Sequence, residues 1–100
     1  MDFAKYQTKV EETAVEANDG EQLVLNALCI AGKAGELANL VKKIVWHLYD
    51  FDEKRIQELL GDILRYITNL SNAFGWSLDD IASKNLEKLH RRHPNDVNTK

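Results

Sequence analysis

At 100 residues, 44% hydrophobic and 29% charged, the chain is one domain's worth of sequence, without room for a catalytic domain plus a regulatory one. Five Gly and one Pro are too few for an all-β sandwich and favour helices, and a single cysteine, Cys29, excludes a disulfide framework and any cysteine-based zinc site. The net charge of −3 is uneven, with −4 over residues 1–30, −2 over 31–83 and +3 over 84–100, so the chain is not basic throughout as a general nucleic-acid binder usually is.

The N-terminus has no basic stretch leading into an apolar segment, so it does not read as a secretory signal. A first helix is expected from about Asp2 to Glu16, with Phe3, Tyr6, Val10 and Ala14 at helical spacing. Asn18, Asp19 and Gly20 break it. A long second helix is expected from about Glu21 to Leu48, with Leu25, Leu28, Cys29, Leu37, Leu40, Val41, Ile44 and Leu48 as its apolar stripe. Gly32 and Gly35 inside it suggest close approach of another backbone or a ligand, since each costs up to ~1 kcal/mol against Ala. No unbroken apolar run reaches the roughly 18 residues of a membrane span, so no membrane contact is expected and a cytoplasmic location follows by default.

Asp50 with Glu53 has the form of a capping box, which starts a third helix near Phe51 to Glu53. Ile56, Leu59, Leu60, Ile63, Leu64, Ile67, Leu70 and Phe74 form its stripe, and Gly75 suits the residue after its end. Ser77 followed by Asp80 opens a fourth helix carrying Leu78, Ile81, Leu86 and Leu89. Pro94 ends it, leaving residues 95–100 as a short tail. The expected fold is an all-α bundle of about four helices in one domain, residues 1–94.

Glu36 and Asp62 each follow a glycine in mid-helix, on or beside an apolar stripe. A lone acid there is ordinarily rim-exposed or salt-bridged. Two on adjacent helices are more suggestive, because facing carboxylates are how helical bundles hold divalent metals. The runs Ala31 to Lys43, Glu58 to Tyr66 and Ser77 to Pro94, with the opening Tyr6 to Ala14, resemble the MazG-like nucleoside triphosphate pyrophosphohydrolases. That resemblance implies an all-α fold, assembly as a homodimer or homotetramer, and Mg²⁺-dependent cleavage of a nucleoside triphosphate to the monophosphate and pyrophosphate. It implies metal held by an E-x-x-E motif on one helix and an E-x-x-D motif on the next. Spacing of three places both acids of each motif on one helix face.

Two of the four acids are replaced: Lys33 stands before Glu36, and Leu59 before Asp62. Glu58 is one position early, about 100° round the helix, and is a poor substitute. Arg65 stands where the family commonly has Trp. These three changes make the site more positive by four charges, two from Lys33 and one each from Leu59 and Arg65. A lysine about 5 Å from a divalent ion opposes it by ~2–7 kcal/mol, so Mg²⁺ at the residual ligands Glu36 and Asp62 is expected to be weakened or absent. The same cations suit phosphate oxygens contacted directly. The alternative is that Lys33 is a structural ion-pair partner of Asp62 or Glu36.

The resemblance also assigns Asn85 and Lys88 to the nucleotide and phosphate pocket. By spacing alone either is an ordinary solvated residue. Trp46 and Tyr66 are candidates to stack on a base, or else core or interface aromatics. His90 with His93, and His47, are read as exposed or helix-end histidines, and Cys29 as a small core residue. The expected function is a catalytically impaired protein that binds or sequesters a nucleotide-like or other phosphorylated small molecule through Lys33, Arg65, Asn85, Lys88, Trp46 and Tyr66. One alternative is an active Mg²⁺-dependent pyrophosphohydrolase using Glu36, Asp62 and Glu58. Another is an interaction module with a vestigial pocket. Nucleic acid is not an expected partner.

Overall fold

A computed structural model describes residues 1–92 as four helices: α1 (Phe3–Glu11), α2 (Asp19–Trp46), α3 (Glu53–Ala73) and α4 (Leu78–Arg92). No strand occurs among the described residues. The expected end of the fourth helix at Pro94, His93 and the tail lie outside them.

Side chains at the helix ends set the boundaries. Asp2 caps α1 by accepting from the Lys5 amide at 2.9 Å. α1 stops at Glu11, short of the expected Glu16, because the Thr13 hydroxyl takes the Val10 carbonyl at 2.9 Å. The acids Glu11, Glu12 and Glu16 also oppose the negative end of a helix running further. Asn18 starts α2 earlier than expected, through a capping box with Glu21. For α3 the cap is Asp52, accepting from the Arg55 amide at 3.0 Å, and not Asp50. α3 ends as the sequence predicts, with Gly75 at φ +69° and both closing bonds of a Schellman motif, Trp76 N to Ser71 O and Gly75 N to Asn72 O. The Ser77 hydroxyl accepts from the Asp80 amide at the start of α4.

α2 and α3 form an antiparallel hairpin that carries most of the packing. α1 lies against α3, and α4 leans on α1. One side chain holds that junction. Gln7 donates to Asn72 Oδ1 (3.0 Å) and to the Trp76 carbonyl (2.9 Å), and accepts from the Leu78 amide (2.9 Å). Asn72 returns a bond to the Gln7 carbonyl.

The hydrophobic core is small. Among the described residues Val10, Leu59 and Leu78 are its buried members. Of the expected α2 stripe, Cys29, Leu37, Leu40 and Ile44 turn toward α3 and are half-buried, whereas Leu25, Leu28, Val41 and Leu48 are exposed. Gly32 and Gly35 have open space where a Cβ would stand, so within one chain nothing approaches them closely. An 18-residue window of α2 reaches a mean hydropathy of 1.3 with 6% of it buried. By length and composition this helix is therefore apolar enough to cross a membrane, which counting unbroken apolar runs does not register.

The chain exposes 7682 Å². A compact monomer of 11.4 kDa exposes about 5,800 Å². Subtracting the largest area that the eight remaining residues can contribute still leaves residues 1–92 several hundred Å² above a compact body of their size. One side of a standard protein–protein interface is about 800 Å².

Candidate functional site: an ion-pair network across the α2–α3 hairpin

The antiparallel register of α2 and α3 sets Lys33 opposite Asp62, and Glu36 opposite Arg55. Lys33 Nζ stands between two carboxylates, 3.7 Å from Glu36 Oε1 and 3.6 Å from Asp62 Oδ2. Arg55 Nη2 donates to Glu36 Oε2 at 3.0 Å, and its Nη1 lies 4.0 Å from Glu58 Oε2. Arg65 Nη2 is 4.0 Å from Asp62 Oδ1 and 2.9 Å from the Tyr66 hydroxyl, with the guanidinium over the Tyr66 ring. The result is an alternating chain of charge, Arg65–Asp62–Lys33–Glu36–Arg55–Glu58, with three cations and three anions.

The network lies at the surface. Lys33 is its most covered member, with 27% of its side chain exposed, and Glu58 its least, at 53%. Each pair is therefore worth little alone, about 0.2–1 kcal/mol, but Lys33 shares two acids and ties the helices together.

The candidate residues separate into three groups. Lys33, Glu36, Asp62, Arg65 and Tyr66 come together. Asn85 and Lys88 are exposed on α4 and bond to no member of the network. Trp46 lies thirteen residues along α2 from Lys33, about 20 Å at 1.5 Å per residue. It is 74% exposed beside Val41, Lys42 and Val45, so one chain does not bring it to the network.

Two participants were not expected. Arg55 was unassigned because its role depends on the hairpin register; its signal was its place one turn before Glu58. Asn69 continues the stripe of Asp62, Arg65 and Tyr66 at helical spacing, and its Oδ1 is buried without a hydrogen-bond partner.

The donor set does not fit a Mg²⁺ cage. Mg²⁺ needs near-octahedral oxygen ligands. Here the facing oxygens of Glu36 and Asp62 are bridged by an ammonium group, and Leu59 is core, 1% exposed. Among the described residues no group of three His, Cys, Asp or Glu is placed to hold a metal ion. What the arrangement offers chemically is three cations along one face, each exchangeable from a carboxylate to a phosphate oxygen.

The family model described as the MazG nucleotide pyrophosphohydrolase domain matches residues 21–97. The chain is 35% identical over 99 residues to the Gene 37 protein of Mycobacterium phage L5, covering 87% of this chain and 84% of that one. No solved structure matches it.

Proposed function

Because the chain belongs to the MazG nucleotide pyrophosphohydrolase family, we propose that it binds a nucleotide-like or other phosphorylated small molecule on the Lys33–Arg55–Arg65 face and is impaired in metal-dependent hydrolysis. One observation carries this reading: Lys33 Nζ sits between Glu36 and Asp62, where two carboxylates would otherwise share a cation. A tethered ammonium does for the hairpin what a bound metal would do, bridging two acids without an ion drawn from solution. Water activation by a metal then loses its seat, while the cations keep their affinity for phosphate oxygens. Arg55 and Arg65 offer planar forks that match phosphate geometry, and Tyr66 already stacks on Arg65.

The protein is proposed to act as a homodimer or homotetramer in the cytoplasm, with assembly covering the apolar face of α2. The excess surface of residues 1–92 supports an assembled state.

Calorimetry in EDTA with ATP, on the wild type, Lys33→Ala and Arg65→Ala, tests the binding reading. Charge-assisted hydrogen bonds are worth about 1.5–3 kcal/mol, so each variant should bind roughly 10- to 150-fold more weakly. Binding that requires added Mg²⁺, or variants that bind as tightly as wild type, would make Lys33 a structural ion-pair partner instead.

A further inference from the structure

We infer that α4 is an interfacial helix: its outer side lies on an anionic lipid surface, with Ile81 and Leu89 toward the acyl chains and Lys84, Lys88, Arg91 and Arg92 at the level of the lipid phosphates. This surface needs none of Lys33, Arg55 or Arg65, so it stands apart from the binding face proposed above.

α4 leaves the body of the molecule after its first residue. Leu78 is buried, and Asp79 lines a cavity with Phe3, Tyr6 and Leu64, so the side that carries them faces α1. From Asp79 to Arg92 every residue is exposed. A helix of fifteen residues with no packed face is marginal in water and gains most of its stability by burying one.

The side turned away from α1 is sorted by charge. At about 100° per residue, Lys84, Lys88, Arg91 and Arg92 fall within a single arc of about 100°. The acids Asp79, Asp80 and Glu87 fall in a separate arc. Attraction to the negative end of a helix accounts for cations in the last turn. It does not account for Lys84, which lies before that turn, and it does not sort charge around the axis. Ion pairing does not use these cations either. The ion pairs of the described residues lie at the end of α1 and across the α2–α3 hairpin.

Apolar side chains share that side. Ile81 lies inside the cationic arc and Leu89 beside it, each 42% exposed. Trp76, also exposed, lines a cavity with Ile81 and Lys84. This mixture selects the partner. A nucleic acid would engage the cations and leave Ile81, Leu89 and Trp76 in water. An apolar face of a second copy would cover those three and leave four like charges beside it without anions. A bilayer that carries anionic lipid takes both sets at once. Tryptophan and aliphatic side chains enter the headgroup boundary, and the cations meet phosphates.

Sedimentation of the full chain with lipid vesicles is the test. The chain should bind vesicles of equal parts phosphatidylcholine and phosphatidylserine, and not vesicles of phosphatidylcholine alone. Each cation near an anionic surface is worth about fivefold in binding, so Lys84→Gln with Arg91→Gln should weaken it roughly 30-fold. Ile81→Ser should also weaken it, at unchanged net charge. In a Trp46→Phe chain Trp76 is the sole tryptophan, and its emission should shift to the blue on the mixed vesicles. Equal binding to both vesicle types, binding to neither, or an unshifted Trp76 emission overturns the proposal. Tighter binding to a duplex oligonucleotide than to the mixed vesicles at one ionic strength would make α4 a nucleic-acid surface instead. Loss of an oligomer in Ile81→Ser would make it a subunit interface.

Discussion

Replacing Leu59 by Glu puts back the acid that the family motif calls for, and the structure gives the cost. Leu59 is 1% exposed. Removing it forfeits about 1.5–3 kcal/mol of apolar burial. The introduced carboxyl, held inside, must stay protonated. At pH 7 that costs about 3.7 kcal/mol, from an unfolded pKa near 4.3 and 1.36 kcal/mol per unit. The sum, about 5–7 kcal/mol, rivals the whole stability of a domain, about 5–15 kcal/mol. The pH dependence has a definite sign. Burial raises the folded pKa, so above about pH 4.3 the unfolded variant binds fewer protons than the folded one. Its stability therefore falls by about 1.4 kcal/mol for each pH unit upward. Urea titrations of wild type and Leu59→Glu at pH 5 and pH 7 provide the assay. The gap between them should widen by about 2.7 kcal/mol from the lower pH to the higher. A gap below 1 kcal/mol and equal at both pH values would mean that the carboxylate reaches solvent. The acid pair with Asp62 would then be recoverable, and the placing of Leu59 in the core would not be what keeps it out.

Gln7→Leu removes three side-chain hydrogen bonds at the α1–α3–α4 junction and should cost about 2–3 kcal/mol, read as a lower thermal midpoint. Arg55→Ala should cost no more than about 1 kcal/mol at low salt, and less at 1 M NaCl, because its pairs are half-exposed. Pyrophosphate release from nucleoside triphosphates in Mg²⁺ should fall well below about 1 s⁻¹; turnover above that would show that Glu36, Asp62 and Glu58 suffice. Light scattering at micromolar concentration should give a dimer or tetramer, and a stable monomer would contradict the reading of the α2 surface.

Helical periodicity was enough to read the four helices and their order. Boundaries moved where one side chain outbid the pattern: Thr13 stopped α1, and Asp52 rather than Asp50 capped α3. The site was half legible. Lys33, Glu36, Asp62 and Arg65 stand at motif spacing, so the helix itself places them together. Arg55 depends on how α3 slides along α2, and Asn69 on which groups are left unpaired after packing; neither is a property of spacing. Trp46 shows the limit of residue type as a signal. Its side chain suits stacking, but its distance along α2 was already computable from the residue numbers. The exposed half of the α2 stripe has a simpler reading: apolar spacing identifies a face that wants cover, not the chain that supplies it.

The Gln7 junction also sets the order in which the molecule comes apart. Its bonds join residues 65 to 71 positions apart in the chain, whereas α2 and α3 are neighbours across a short connection. The loop-closure entropy of those distant contacts is recovered only once the hairpin exists. Folding should therefore run from the hairpin outward, with α1 docking late and α4 gaining its direction last. Opening should reverse that sequence, so amide protons of α1 and α4 exchange before those at the centre of α3. Any segment that competes for Gln7 would release α4 without unfolding the hairpin.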